Sequence, residues 1–269
     1  MKFYSSFPIT PENYFNNRAI AYGDGIFETM MVKNKAIVLW NFHWQRLSSS
    51  LVGLNINPMD EKATLSKILS LVSDNKNYIV KLVVFRDDSK RGYGSHSNKF
   101  KYFITLNSDI RVETNQSLTI SQIKLSQQNE LAGMKHLNRL EQVLAAQRLN
   151  GTNYSDAIMC DDKDCIIETI SKNIVFIKNE QLYTPNLNES GVYGVALRWL
   201  NSSCQKLDRQ LNWKKIEIKD LSQYHGMLVC NSIQGFTSIS NIGDNLQFEQ
   251  TLPIMQKIKE HWNETIGNI

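Results

Sequence analysis

The chain has 269 residues, 42% of them hydrophobic and 21% charged, with a formal net charge of +4 at pH 7. This composition is typical of a globular protein with one large domain or two smaller ones. The basic residues are scattered, which argues against a nucleic-acid partner and favours small anionic molecules. No apolar run approaches the roughly 20 residues of a membrane helix, and the amino-terminal segment lacks the apolar core of a signal peptide. We therefore expect a cytoplasmic protein without a membrane partner.

The cysteine and histidine positions give no indication of a metal site. The four cysteines, Cys160, Cys165, Cys204 and Cys230, match no zinc-ligand spacing. The five histidines are dispersed along the chain. We expect buried, reduced thiols and no bound metal.

The first half of the chain reads as mixed helix and strand. The segment IFETMMVKNKAIVLW predicts two strands joined at Asn34, a residue that tolerates a turn conformation. Two amphipathic segments with helical spacing follow, NFHWQRLSSSLVGLNI and MDEKATLSKILSLVSD. Two more strands, YIVKLVVFRD and KYFITLNSD, flank a polar loop that contains the sequence KRGYGSH.

The apolar pattern lapses at residues 108–117, which predicts a linker between an amino-terminal domain, 1–107, and a larger carboxy-terminal domain, 118–269. The second half contains several strands and a predicted helix from Leu137 to Leu149. Four apolar side chains are expected to anchor that helix to the core: Leu137, Leu140, Val143 and Leu144. Runs of strands with intervening helices favour two α+β domains over a doubly wound sheet.

Lys135 is the first candidate for chemistry. It stands just before the predicted helix, where the helix dipole disfavours an ammonium group. A neutral amine is the form that can make a Schiff base. The alternative is a solvated surface lysine.

Glu168 and Arg46 are further candidates. Glu168 lies among apolar residues in the predicted strand CIIETIS, so its carboxylate should be poorly solvated and should need a partner. A protonated pyridine nitrogen, as in pyridoxal phosphate, would serve. The segment GVYGVALRWL predicts a glycine turn before a helix whose N–H groups can bind a phosphate, and Arg46 could add a bidentate contact. Each candidate also has an interpretation without function. Glu168 could be an exposed glutamate on a hairpin edge, the glycine segment a plain helix start, and Arg46 a surface arginine.

Several of these segments together resemble one known family. YGDGIFETMMV, HWQRL, KHLNRLEQVLAA, IIETISKNIVF and GVYGV resemble, in this order, segments of the class IV aminotransferase superfamily, the fold-type IV pyridoxal phosphate enzymes. The likeness extends roughly from Arg18 to Phe248. The segment KHLNRLEQVL is most similar to the aminodeoxychorismate lyases of that superfamily.

The resemblance implies a two-domain α+β fold like that of the D-amino-acid aminotransferases, bound pyridoxal 5'-phosphate and a homodimer. Lys135 would form the Schiff base and carry the proton, and Glu168 would pair with the pyridine nitrogen. The implied phosphate contacts are Arg46, the backbone of Val192 and Tyr193, Asn231 and Ser232. The implied substrate contacts are Arg91, Tyr93 and Glu28.

Three functions remain open at this stage. The first is a lyase that releases pyruvate and p-aminobenzoate, which is used for folate. The second is a transaminase, of the branched-chain or D-amino-acid type, using the same lysine. The third is a non-catalytic protein that keeps the fold for binding. Glu28 stands where some lyases carry threonine and many aminotransferases carry glutamate, and the substrate loop lacks the lyases' glycine-rich run before R-G-Y.

Overall fold

The structure is a computed structural model that describes residues 2–72, 74, 76–94, 96–108 and 116–267. Its contacts divide the chain into two compact units. The first unit contains the described residues up to 108 together with 134–138, and the second contains 116–133 and 139–267. Most of the predicted linker, residues 109–115, lies outside the described residues.

A five-stranded antiparallel sheet in the order β1-β5-β4-β2-β3 forms the centre of the first unit. Its strands are β1 (Lys2–Ser5), β2 (Gly25–Lys33), β3 (Ala36–Ile37), β4 (Tyr78–Arg86) and β5 (Phe100–Asn107). The turn between β2 and β3 contains Asn34 and Lys35, both in the left-handed region with φ of 49° and 61°. The strand pair predicted around Asn34 is therefore confirmed.

Among the described residues of this unit there are four helices: α1 (Pro11–Phe15), α2 (Arg18–Tyr22), α3 (Trp40–Gly53) and α4 (Glu61–Ser70). The burial of β2 alternates along the strand, with Ile26, Met30 and Val32 fully enclosed in the core. Leu47 and Leu51 of α3 and Ile68 of α4 belong to the same buried cluster. This alternation is the pattern of a strand with one face on a core.

The second unit contains two five-stranded sheets, in the orders β11-β10-β9-β12-β13 and β15-β14-β6-β7-β8. The strands of the first are β9 (Asn173–Lys178), β10 (Gln181–Pro185), β11 (Leu211–Lys214), β12 (Gly226–Asn231) and β13 (Gly235–Ser238). The strands of the second are β6 (Ser117–Ile120), β7 (Asp156–Cys160), β8 (Ile166–Thr169), β14 (Asn241–Ile242) and β15 (Leu246–Gln247). Strands β7 to β9 are buried almost along their whole length, which explains their continuous apolar sequence.

Three α-helices complete the second unit, α5 (Leu140–Arg148), α6 (Val195–Ser203) and α7 (Pro253–Gly267), with a 3-10 helix at Ile218–Gln223. The mixture of sheets and helices confirms the predicted α+β class. The four cysteines are buried with free thiols. Within the described part of the chain, no helix is long and apolar enough to cross a membrane.

Helix α5 differs from its prediction in both its start and its buried face. It begins at Leu140 rather than Leu137, and it buries Gln142 and Ala145. Leu140, Val143 and Leu144, expected to anchor the helix, are 70%, 47% and 41% exposed. The apolar spacing correctly marked one helical face, but within one chain that face is turned to solvent.

Candidate active site

Lys135 lies in the segment 134–138, where an isolated β-bridge joins His136 to Ile26 of β2. The N–H of Phe27 donates to the Lys135 carbonyl at 2.9 Å, and the N–H of Leu137 donates to the Gly25 carbonyl at 3.0 Å. The predicted position of Lys135 at the mouth of a helix was therefore wrong, because the backbone on both sides of it is committed to strand pairing. The sequence division assigned Lys135 to the second domain, whereas these contacts place it with the first unit.

The side chain of Lys135 lies against an aromatic ring. Its Nζ is 4.5 Å from the centre of the Phe27 ring, and Nζ of Lys81, on β4, is 4.7 Å from the same ring. Aromatic faces attract ammonium groups. The ring contact and the two backbone hydrogen bonds to β2 place Lys135 beside Phe27.

Glu28, Arg46 and His43 form a buried charge cluster between β2 and α3. Arg46 donates from Nε to Oε1 of Glu28 at 2.8 Å and from Nη2 to Oε2 at 2.6 Å, while His43 Nδ1 lies 2.6 Å from Oε2. Burial alone would raise the pKa of Glu28, but the charge of Arg46 and the hydrogen bonds from Arg46 and His43 lower it to about 2. Glu28 is therefore ionised at neutral pH, as the partner of Arg46.

Glu28 and Arg46 were both predicted as site residues, and this cluster shows what each contacts here. Glu28, expected at the substrate, is 2% exposed and both of its oxygens accept hydrogen bonds, and its substrate contact stays a prediction. Arg46 keeps one terminal nitrogen, Nη1, without a hydrogen-bond acceptor among the described residues. The expected phosphate contact of Arg46 therefore stays a prediction, restricted to Nη1.

His43 is a member of the cluster that sequence reasoning missed. Burial lowers the pKa of His43 against the opposing effect of Glu28, and the charges of Arg46 and Lys135 lower it further. The neutral ring then donates from Nδ1 to Glu28 and leaves Nε2 as an acceptor. This Nε2 is buried and has no hydrogen-bond partner among the described residues. Its spacing of three residues from Arg46 on one helix was the available signal.

In the second unit, Glu168 lies where the sequence placed it, in the buried strand β8. It is 5% exposed, and its Oε2 accepts the N–H of Val192 at 3.0 Å. Gly191 passes so close that a Cβ there would lie 2.6 Å from Ile167 Cγ2, and its φ of +82° favours glycine. The predicted burial of Glu168 is confirmed.

The backbone just before α6 is held from several sides. Besides the contact with Glu168, Asn173 donates from Nδ2 to the Val192 carbonyl at 2.8 Å and accepts the Gly194 N–H on Oδ1 at 3.0 Å. The N–H of Tyr193 donates to the Gly133 carbonyl at 3.1 Å. Asn173 was not among the predicted site residues, because its role depends on a segment about twenty residues further along the chain.

The expected phosphate contacts of the Val192 and Tyr193 backbone stay predictions, and these bonds show what those N–H groups contact here. The N–H groups of Val192 and Tyr193 are occupied by Glu168 and Gly133, and α6 itself begins at Val195 with Gly194 as its cap. The first N–H groups of a helix have no carbonyl partner within it. An anion at this end would therefore meet the amides from Val195 onward.

The remaining predicted residues lie in two turns. Asn231 ends β12, and its Oδ1 accepts the N–H groups of Ile233 and Gln234 at 3.0 and 2.8 Å, which fixes the turn that carries Ser232. Arg91 and Tyr93 lie in the loop between β4 and β5 with exposed side chains, Tyr93 being 89% exposed. Both expected roles stay predictions.

Similarity to known proteins agrees with this arrangement. The sequence model of the family described as amino-transferase class IV matches residues 25–242. An aminodeoxychorismate lyase of Vibrio harveyi is 29% identical over 232 residues, which cover 84% of this chain and 86% of that protein.

Two solved structures share the fold, and they confirm the predicted fold-type IV architecture. The 4-amino-4-deoxychorismate lyase of Pseudomonas aeruginosa has a TM-score of 0.88 at 23% identity and covers 98% of both chains. A branched-chain aminotransferase of Thermoproteus uzoniensis, solved with norvaline, has a TM-score of 0.86 at 17% identity and covers 99% of this chain and 95% of its own. With the family match spanning residues 25–242, the chain belongs to the class IV amino-transferase family.

Proposed function

We propose that the protein is a pyridoxal phosphate-dependent 4-amino-4-deoxychorismate lyase, which releases pyruvate and forms p-aminobenzoate. The observation that carries the proposal is Lys135, whose carbonyl accepts the Phe27 N–H and whose Nζ lies 4.5 Å from the centre of the Phe27 ring. The Vibrio harveyi relative supports the choice of reaction, since it matches most of both chains.

The residues present fit the cofactor. A protonated pyridine nitrogen requires a buried acceptor, and Glu168 is a buried carboxylate already oriented by the Val192 N–H. The close approach of Gly191, which a Cβ would block, keeps the backbone beside that carboxylate. When bound, pyridoxal phosphate supplies an electron sink for the bond that breaks.

The start of α6 would hold the phosphate, and Arg46, in the first unit, is a further phosphate contact that the family resemblance implies. The free amides from Val195 onward offer donors and a favourable helix dipole. Nη1 of Arg46 is available, and Glu28 fixes the orientation of the guanidinium through its other two nitrogens. Ser232, on the turn fixed by Asn231, would add a hydroxyl.

Lys135 would move the proton. With its amine neutral, Nζ takes the proton from the substrate carbon that bears the nitrogen. The bond between the ring and the enolpyruvyl oxygen then breaks, the ring becomes aromatic, and the released enolpyruvate becomes pyruvate. Arg91, with Tyr93 beside it, would bind a substrate carboxylate. Formation of the aromatic ring provides much of the driving force, so the protein mainly has to hold the substrate and transfer one proton.

A homodimer is part of the proposal, and α5 supports it. Leu140, Val143 and Leu144 expose apolar surface on one helical face, which a second copy of the chain would cover. Light scattering tests this directly, and a monomer at micromolar concentration would count against it.

The experiment is to supply aminodeoxychorismate, made in place from chorismate and glutamine by a separate synthase, and to measure p-aminobenzoate and pyruvate. Lys135→Ala should abolish product formation and remove the visible absorbance of the lysine-bound cofactor. Lys81→Ala is the matched control, since Lys81 contacts the same ring, and it should retain that absorbance.

A transaminase using the same lysine is the second candidate, because the branched-chain enzyme of Thermoproteus uzoniensis has the same fold. Protein that binds pyridoxal phosphate but gives no p-aminobenzoate would favour it. Amino donors with 2-oxoglutarate would then be tested. Protein that binds no pyridoxal phosphate would reject both enzymes.

A further inference from the structure

Arg18, on the short helix α2, is a buried arginine that holds the loop between β4 and β5. It is 4% exposed. Its Nη1 donates to the carbonyls of Gly92 at 2.9 Å and Lys90 at 3.5 Å, and its Nη2 donates to the Tyr93 carbonyl at 3.1 Å. One guanidinium therefore binds three of four consecutive carbonyl groups in a segment without regular secondary structure.

Tyr22, one helical turn after Arg18, holds the same segment. Its hydroxyl accepts the N–H of Gly92 at 2.9 Å, and its ring lies 5.5 Å from the ring of Tyr93 in an edge-on arrangement. Arg18 also lies over the Tyr22 ring at 4.8 Å. The backbone of residues 90–93 is therefore fixed by α2 while the side chains of Arg91 and Tyr93 point to solvent.

The charge of Arg18 is balanced by a carboxylate that it shares with a second arginine. Its Nε pairs with Oδ2 of Asp24 at 2.7 Å, and the same oxygen accepts from Nε of Arg86 at 3.0 Å. One carboxylate therefore faces two guanidinium groups, and backbone carbonyls take up the remaining donors. A buried arginine requires such complete pairing of its donors. An exposed loop, in contrast, can fold without donating its carbonyls to an arginine.

We propose that Arg18 is a positioning residue for substrate recognition: it fixes the backbone of residues 90–93 so that Arg91 and Tyr93 meet the substrate carboxylate in one orientation. The inference rests on the proposed function, since it assigns Arg91 and Tyr93 to the substrate. Arg18 itself touches neither substrate nor cofactor. Its effect is on the fraction of molecules in which the loop is ordered.

That fraction sets the size of the effect. Apparent affinity falls in proportion to the population that can bind, so a loop ordered in about a tenth of the molecules raises KM about tenfold. The chemical step should change little, because Lys135 and its backbone contacts are untouched. The expected signature is thus a change in KM with a nearly constant kcat.

Arg18→Lys is the test variant. Lysine keeps a positive charge beside Asp24 but cannot donate to several carbonyls at once. Asp24 also keeps its contact with Arg86, which supports the fold of the variant. Tyr22→Phe is a milder second variant that removes only the acceptor for Gly92. Arg209→Lys is the matched control, since Arg209 also donates to backbone carbonyls, those of Glu180 and Asp208, but in the second unit.

Two measurements are made on the holoenzyme. The first is the KM and kcat for aminodeoxychorismate. The second is the rate of trypsin cleavage after Lys90 and Arg91, which follows the population of the open loop and does not depend on any activity. Arg18→Lys should raise KM about tenfold with kcat within about twofold, and it should speed cleavage at these two sites. Arg209→Lys should change neither the KM nor the rate of cleavage at these two sites.

Wild-type KM together with wild-type cleavage in Arg18→Lys would overturn the inference, as would faster cleavage with unchanged KM. A fall in kcat alone would also overturn it, because it would assign Arg18 to the chemical step. If wild-type protein turns over no aminodeoxychorismate, the proposed function fails. The rate of trypsin cleavage then tests by itself whether Arg18 holds the loop, and an unchanged rate in Arg18→Lys would reject that role.

Discussion

Each unit contains a buried carboxylate at the centre of a charge cluster, and the two clusters differ in how completely their polar atoms are paired. In the first unit, Glu28 binds Arg46 through two nitrogens and His43 through a third. At its edge Nε2 of His43 is buried and has no hydrogen-bond partner among the described residues.

In the second unit, the Asp156 cluster is closed. Oδ1 of Asp156 accepts the N–H groups of Ala157 and Ile170 at 2.8 and 3.0 Å. Oδ2 accepts the Thr169 hydroxyl at 2.8 Å and the Lys172 ammonium at 3.2 Å. These bonds join the start of β7 to the turn after β8.

The difference separates a structural cluster from one with capacity for a ligand. A buried polar atom without a partner costs stability, so the open edge of the Glu28 cluster indicates that something else completes it. Lys135 lies near enough for its charge to lower the pKa of His43. The closed Asp156 cluster has no such capacity and should matter only for folding.

The largest effect is expected from Asp156→Ala. It leaves the Lys172 ammonium buried without its carboxylate, which should lower the free energy of unfolding by about 3–5 kcal/mol. Guanidinium unfolding of the cofactor-free protein measures it. Lys172→Met is the control and should cost less, because Asp156 keeps its hydroxyl and amide donors. A loss below about 1 kcal/mol for Asp156→Ala would show that the closed cluster is not structural.

The sequence predicted those features that depend on local pattern. The strand pair around Asn34 and the buried strand of Glu168 follow from alternation, turn residues and apolar neighbours. The start of α5 could not be predicted from local pattern, because residues 135–137 hydrogen-bond to β2, more than a hundred positions earlier. Tertiary pairing of this kind overrides local helical spacing.

The missed site residues share the same cause. The contact between His43 and Glu28 depends on how α3 packs on β2, and Asn173 contacts a segment about twenty residues away. Each partner alone looks like an ordinary polar residue. The exposed face of α5 shows the reverse case, since apolar spacing marks a face but does not say whether the same chain buries it.

A second effect should appear in acid. The lowered pKa of His43 means that its contribution to stability is lost as pH falls below its ordinary value of 6.5. The carboxylate of Glu28, with its pKa lowered from 4.5 to about 2, contributes stability above pH 4.5 that is lost as pH falls toward 2. The loss from Glu28 should be on the order of 3 kcal/mol.

Unfolding of the cofactor-free protein between pH 7 and pH 3 measures this, with Glu28→Gln as the comparison. The variant should be less stable at pH 7 and should show a flatter dependence below pH 4.5. Parallel curves for the two proteins would mean that Glu28 is not held ionised by Arg46 and His43.

The smallest of the three effects concerns cofactor binding through Asn173. Asn173→Ala removes two hydrogen bonds that order the backbone before α6, so the affinity of the cofactor-free protein for pyridoxal phosphate should fall about tenfold. Absorbance titration measures it. Asn212→Ala is the matched control, since Asn212 donates to the Leu182 carbonyl in the same unit. Equal affinities for both variants would mean that Glu168 and Gly133 order this backbone without Asn173. The difference between the open Glu28 cluster and the closed Asp156 cluster would then remain the main functional contrast.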